Sequence, residues 1–425
     1  MISGESRESI HNETARMSRE GFNSHLERLV LCCSVFQEGE VVYKSFKTEI
    51  DPTPEQITKI NKTLGVCRFV YNLFIVHNKE RYENGENFVS GNTFAVWLNN
   101  EFLPNNPDHM WIKEVSSKAV KRSIDDADAA FRNFFKGRCG YPQFKKKSRS
   151  DVKMYFYRGN SIGCKCERHR IKIPTIGWVR LKEKGYIPTT DSGLYILSGR
   201  ISKRAGRYYV SAMVDVPDKE PAVAETEGIG VHLGVKELAV LSSGESYENI
   251  NKTAKVKKLE ERLSREQRKL SRKLESKKHG GETQGKNIEK QRLKVQRLYQ
   301  RISDVREDHI NKTIAEIVKT KPSYIAIADI EVNRMVLDRF TAKAVRDQRL
   351  REFREKLTVK CHEYGIELRL APKYFRSTSI CSSCGETVGG VKLSDKYIRC
   401  DCGSKMKKAL NASINLRNMT AYTVI

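Results

Sequence analysis

Apolar and polar positions change their spacing several times along the chain, and each change marks an element. Residues 1–39 are mostly polar and keep no sustained period of two or 3.6, so they read as a flexible extension or as sequence upstream of the functional start. From Glu40 the run VVYKSFKTEI alternates as a strand does. DPTPEQITKINKTLG then carries the marks of a helix start: Thr53 as N-cap, Pro54 at the first helical position and Gln56 at the third place of a capping box. Ile57, Ile60 and Leu64 form its apolar stripe, and Gly65 is expected to end it. Helical spacing resumes in VCRFVYNLFIVHNKERY, FAVWLNNEF and SSKAVKRSIDDADAAFRNFFKG, which Gly137 stops. Residues 138–222 hold a basic loop, GRCGYPQFKKKSRS, and short strand-like runs such as RIKIPTIGWVRL and RYYVSAMVDV. A barrel-like β module, entered by the first strand and interrupted by the helices, fits that order. After the linker DKEPAVAETEG, IGVHLGVKELAVLSSGE reads as two strands around a glycine turn. SYIAIADI reads as a buried strand between helices at 303–320 and 338–364, and IELRLAP as a further strand. No repeat of 20–50 residues is visible.

Charge changes the picture from a plain α+β chain to a partner of polyanions. The 425 residues hold 78 Lys and Arg against 52 Asp and Glu, a formal excess of +26. Nucleic acid is the default partner for such an excess. A membrane surface is disfavoured, because no basic amphipathic helix has a clean apolar face and no apolar run reaches 18 residues. Residues 251–300 contain 17 Lys or Arg and 6 Asp or Glu, spaced helically on both sides of HGGETQG. An excess of one sign suits a pair of backbone-binding helices better than a face of i,i+4 ion pairs.

Of eleven cysteines, four cluster as CSSCG (Cys381, Cys384) and CDCG (Cys400, Cys402), fifteen residues apart. Two close pairs with glycine in each knuckle suit a tetrahedral Zn²⁺ held by four thiolates, a structural site with no open position. The second pair is separated by one residue instead of two. Cys164, Cys166 and His169 look similar but lack a fourth ligand at suitable spacing. With no signal-like N-terminus, the cysteine usage predicts a reduced, cytoplasmic protein.

FKTEIDPTPEQ, GVCRFVYNLF, FRNFFKG with GYPQFKKK, IPTIGWVRL, GVHLGVKELAVLSSG, the cysteine ribbon and LNASINLRN together resemble TnpB (OrfB), the transposon-encoded RNA-guided nuclease family related to type V CRISPR effectors. The resemblance runs from about residue 41 to 418 and implies an α+β multidomain fold. Its expected parts are a β-barrel wedge domain (40–62 and 138–222), an inserted helical recognition lobe (63–137), an RNase H-like (RuvC) α/β domain (223–375 and 404–425) and an inserted zinc ribbon (376–403).

The family cuts DNA with two Mg²⁺ ions held by three acids. At the matching places this chain has His232 in GVHLG, Ala328 in IADI and Ala409 in KKALNASINL. Without anionic ligands two close divalent ions would repel with nothing to offset them, so no catalytic Mg²⁺ and no nuclease activity are expected. Asp329 neighbours Ala328, but successive strand residues face opposite ways.

The surfaces for guided binding do not need those acids. Positions matching the family's reader of a short flanking DNA motif are Ser117, Lys118, Lys121, Tyr157 and Arg158. Candidate backbone contacts are Lys136, Arg138, Lys145, Lys146, Lys147 and Arg149, then Lys257, Lys258, Arg265, Arg268, Lys269, Arg272 and Lys273. The resemblance is closest to the nuclease-dead TnpB-like repressors (TldR). It implies an omega-type guide RNA, a double-stranded DNA target, competition with RNA polymerase at a promoter and a bacterial, nucleoid-associated location. Two other readings stay open from sequence: a degenerate transposon remnant or dead effector that recruits a partner, and a guide-independent basic nucleic-acid binder.

Overall fold

The computed structural model describes residues 41–147, 153–157, 164–190, 193–217, 224–278, 285–329, 342–392 and 395–425. The 1–39 extension lies outside them. The chain divides into two units, Met1–Val42 with Val216–Asp218, and Tyr43–Asp215 with Lys219–Ile425. The second unit contains every described helix and every buried core.

Strands β1 (Val41–Asp51), β2 (Lys153–Tyr157), β3 (Lys165–Cys166), β4 (Arg170–Ile173), β5 (Gly177–Leu181), β6 (Ile196–Arg204) and β7 (Arg207–Pro217) form one sheet, in the order β2-β6-β7-β1-β5-β4-β3. The expected barrel is therefore an open seven-stranded sheet among the described residues, with β2 and β3 at its edges. Alternation along a strand encodes which face is buried; closure depends on stagger between strands, which no single strand carries.

The expected helix start is present. Thr53 Oγ1 accepts from the Gln56 amide at 3.3 Å, and Gln56 Oε1 accepts from the Thr53 amide at 3.0 Å. Gln56 Nε2 also donates to the Trp178 carbonyl on β5, tying the helix start to the sheet. Gly65 does not end the helix, however: α1 runs unbroken from Pro54 to Glu83. An interior glycine costs only about 1 kcal/mol, and burial on both sides of it outweighs that. Ile60, Leu64 and Cys67 pack into the sheet's core, whereas Val66, Val70, Phe74 and Ile75 enter a second, aromatic core. There they meet α2 (Gly91–Trp97) and α3 (Ser117–Phe135), with Phe74 edge-on to Phe94 at 4.9 Å.

The second sheet joins β8 (Ile229–Leu233), β9 (Glu237–Leu241), β10 (Ser246–Glu248), β11 (Tyr324–Ala328), β12 (Glu367–Ala371) and β15 (Thr423–Val424), in the order β10-β9-β8-β11-β12-β15. β8, β9 and β10 pair antiparallel, whereas β11 runs parallel to both β8 and β12. A long hairpin of α4 (Ala254–Lys278) and α5 (Gly285–Lys319) leaves β10 and returns to β11. α5 is one helix across the break expected near residue 300. α6 (Ala342–Gln348) and α7 (Leu350–Tyr364) lead into β12.

One close approach fixes the last helix, α8 (Lys408–Arg417). A Cβ on Gly230 would lie 1.9 Å from the Ser413 carbonyl oxygen and 2.6 Å from the Arg417 amide, so only glycine lets α8 lie directly on β8. Between β12 and α8 the cysteine segment folds around the hairpin β13 (Tyr397–Arg399) and β14 (Lys405–Lys407). No helix among the described residues is long and apolar enough to cross a membrane.

Candidate functional site

The three positions that the resemblance assigns to the family's acids lie on β8, β11 and α8, which pack against one another. β8 and β11 are in parallel register, with Ala326 beside Gly230 and Ile327 beside Val231. The pairing ends there: His232 follows on β8, and Ala328 follows on β11, where it pairs with Ala371 of β12. Residues 230 and 232 share a face, and Gly230 shows that α8 covers it. Ala326 and Ala328 pack there with Leu416 of α8. Lys408, the first residue of α8, bears electrostatically on His232. Burial, with a smaller contribution from Lys408, pushes the His232 imidazole down to about 4, so it is neutral at pH 7. Lys408 is itself lowered by burial and by Lys236. His232 thus has a lysine, Lys408, as its charged neighbour, and Lys408 in turn has Lys236. Asp329 is taken up by an ion pair with Arg354 of α7.

Among the described residues, the one group of His, Cys, Asp or Glu side chains able to hold a metal is Cys381, Cys384, Cys400 and Cys402, with all four sulfurs within 4.8 Å of one another. Cys381 and Cys402 are 3.7 Å apart, and Cys384 and Cys400 3.5 Å. Four thiolates at about 2.3 Å around a tetrahedral Zn²⁺ stand roughly 3.8 Å apart, so the donor set fits that ion. Gly385 and Gly403 take φ of +79° and +87°, turning each knuckle back on itself. The Cys384 and Ser383 amides aim at the Cys381 sulfur and draw its pKa down to about 6, favouring the thiolate. Cys164 and Cys166 lie in the first sheet's core.

Two asparagines that the sequence reading passed over fasten this segment to α8. Asn411, fully buried, accepts from the Ser382 amide at 2.8 Å and donates to the Ser377 and Ile380 carbonyls. Asn415, one turn on, donates to the same two carbonyls at 2.8 and 2.7 Å. Their i,i+4 spacing on a helix was the available signal.

Ser117, Lys118, Lys121 and Tyr157, from the flanking-motif set, line one cavity of about 550 Å³. Lys121 is engaged there with Asn92 and Asp125. Arg122, missed from sequence, also lines it; its buried Nε makes no hydrogen bond although Asp126 is 3.3 Å away. Arg158 and Arg149 lie outside the described residues.

The basic residues divide by role. Lys136, Arg138, Lys146 and Lys147 are exposed, whereas Lys145 is half-buried with its ammonium 3.6 Å from the centre of the Tyr71 ring. On α4, Lys257, Lys258, Arg265, Arg268, Lys269 and Arg272 are exposed and Lys273 is half-buried; Lys269 pairs with Glu266. A larger groove, about 1350 Å³, runs between α1, the β6–β7 turn and α5. Its walls carry Lys62, Arg68, Lys147, Lys203, Arg204, Lys286 and Lys290 against one carboxylate, Glu289, with Trp111, Phe69 and Tyr299 among them. Of those cations the sequence reading named only Lys147. Lys286 and Lys290 lie in the same charged run as the α4 set, one turn apart on the partner helix. Low-dielectric walls lined by one sign of charge concentrate a polyanion.

The family profile OrfB, described as a probable transposase, matches residues 211–338; a helix-turn-helix domain profile matches 42–87; and a Cas12f1-like TNB domain profile matches 351–416. In this structure 42–87 is a strand followed by the single helix α1. InsQ of Escherichia coli K12, provisionally named an RNA-guided DNA endonuclease, is 27% identical over 394 residues, covering 89% of this chain and 92% of its own. A Streptomyces pristinaespiralis protein of the same provisional name is 28% identical over 383 residues, covering 88% of this chain and 89% of its own. The protein in a solved Cas12f1–sgRNA–target DNA complex shares the fold, with a TM-score of 0.52 at 12% identity, over 89% of this chain and 99% of that one.

Proposed function

The chain belongs to the OrfB (TnpB) family, and on that premise we propose that it is an RNA-guided DNA-binding protein that no longer cuts and represses transcription by occupying its target. The observation that carries this reading is the corner formed by β8, β11 and α8. In the reading, the second sheet is the RuvC-like domain and that corner is where two Mg²⁺ ions would sit. In the reading it offers a neutral imidazole and two methyl groups in place of three carboxylates, with Lys408 and Lys236 as neighbouring charges. A hard cation needs oxygen ligands, and lysines oppose it electrostatically.

Binding needs none of that chemistry. An omega-type guide RNA would pair with one DNA strand and so supply the sequence, while the protein holds backbones and checks the flanking motif. The basic groove suits the first task, and the cavity at Ser117, Lys118, Lys121 and Tyr157 the second. A bound complex that cannot cleave stays in place and obstructs RNA polymerase, on the bacterial nucleoid in the cytoplasm. The retained helix cap, ribbon knuckles and Gly230 contact favour this reading over a decaying remnant, in which damage would scatter.

The test is to purify the tagged protein from its native cells, sequence the RNA that accompanies it and challenge matched DNA with Mg²⁺. One discrete RNA, with a constant scaffold and a short segment matching a site near a promoter, and intact DNA are expected. Magnesium-dependent cleavage refutes the inactive centre; heterogeneous RNA refutes guidance.

A further inference from the structure

Where α3 ends, the chain continues as FFKGRCGYPQFKKK, in which rings and cations alternate. The rings do not all turn inward. Phe135 is 50% exposed, Phe144 48%, Tyr141 40%, and Phe88, from the neighbouring loop, 39%. Phe88, Tyr141 and Phe135 rest on a buried foundation: Phe131 lies 5.3 Å from Phe88, 5.5 Å from Tyr141 and 6.0 Å from Phe135. Phe134 bridges Phe135 at 5.6 Å and Tyr141 at 5.4 Å. The segment is pinned as well. Asn72 of α1 donates to the Lys145 carbonyl at 3.1 Å and accepts from the Lys145 amide at 2.8 Å, which holds the backbone beside Phe144. Lys136 and Arg138 stand exposed between the rings.

A cluster of held rings with exposed faces suits an occupant with flat apolar faces, and the cations beside them in sequence suit an anionic one. A strand of unpaired nucleotides has both, whereas a duplex hides its base faces. We propose that Phe135, Tyr141 and Phe88 form a stacking platform for unpaired bases of a single-stranded nucleic acid, with Lys136 and Arg138 holding its phosphates. This rests on the nucleic-acid reading above and adds to it a preference for single strands at one defined place, beyond the groove and the motif cavity.

The test uses the full-length protein, stripped of nucleic acid at high salt. Its probes are a fluorescein-labelled oligouridylate of about 12 nucleotides and a blunt RNA duplex of the same length, each titrated at several salt concentrations. Phe135→Leu combined with Phe88→Leu keeps the apolar volume and removes the π faces. It should weaken the single strand about tenfold, leaving duplex affinity and both salt slopes as in the wild type. Arg138→Gln should instead reduce the slope of log K against log salt by about 0.7 for the single strand. Tyr141→Leu is an independent variant should the double one melt early. Equal single-strand affinity in the leucine and wild-type proteins overturns the platform, as does an equal loss on both probes. So does a changed sedimenting mass with unchanged RNA binding, which would make the patch a protein interface. A wild type that binds neither probe overturns the nucleic-acid reading itself.

Discussion

The two asparagines on α8 permit a prediction with its own internal control. Asn411→Ala removes the acceptor for the Ser382 amide, while the Ser377 and Ile380 carbonyls keep Asn415 as donor. One orphaned amide costs about 1–3 kcal/mol and the hole left at a fully buried site adds to it, so about 3 kcal/mol is expected. Asn415→Ala orphans nothing, because Asn411 still donates to both carbonyls; it should cost about 1 kcal/mol. The double variant strips both carbonyls at once. Its loss should exceed the sum of the single losses by about 1–2 kcal/mol. Urea unfolding followed by circular dichroism measures the three differences, and the rate at which a chromogenic chelator extracts zinc reports on the ribbon locally. Additivity within about 0.5 kcal/mol would refute the reasoning, since it would mean that the carbonyls do not depend on these side chains.

Three further outcomes are expected of the same molecule. Gly230→Ala should destabilise by about 3 kcal/mol or more, because the two backbones must part by over an ångström, while Gly140→Ala, with open space and no positive φ, should change stability by less than about 1 kcal/mol; equal melting temperatures would exclude the close contact. Protonating His232 is disfavoured in the fold, so its contribution to stability is full above the unfolded pKa of about 6.5 and is lost as pH falls toward 4, by at most about 3 kcal/mol; the stability difference between wild type and His232→Gln should therefore vary with pH only in that window. Cys381→Ser should reduce bound zinc below one per chain and let a chelator loosen the ribbon; unchanged stoichiometry by elemental analysis would refute the four-thiolate site.

The sequence was informative wherever the cause of a feature is local. Thr53, Pro54 and Gln56 mark a helix start by their spacing alone, and the cysteine pairs mark a metal site in the same way. Gly65 misled because propensity is weak beside packing, and the partners of Ile60 and Val66 lie far along the chain. The barrel misled because closure is a relation among strands. His232, Ala328 and Ala409 could be picked out only through resemblance to a family; that the two strands and the helix carrying them pack together depends on the parallel register of β8 and β11 and on Gly230, which no spacing displays. The basic run at 251–300 was visible, but that Lys286 and Lys290 face a groove with Lys62 and Arg204 depends on how α5 packs.

The unbroken course of α1 matters beyond the fold. At 30 residues and about 1.5 Å per residue it is a rod of roughly 45 Å. One end is embedded in the sheet through Ile60 and Leu64, the other in the aromatic lobe through Phe74 and Ile75. A tilt of about 10° at the sheet end would sweep the far tip through about 8 Å. The rod thus couples the two cores, and α3 doubles that coupling, since its Ala119 also packs into the sheet's core. Gly65, at the handover between the two cores, is where the rod would bend first.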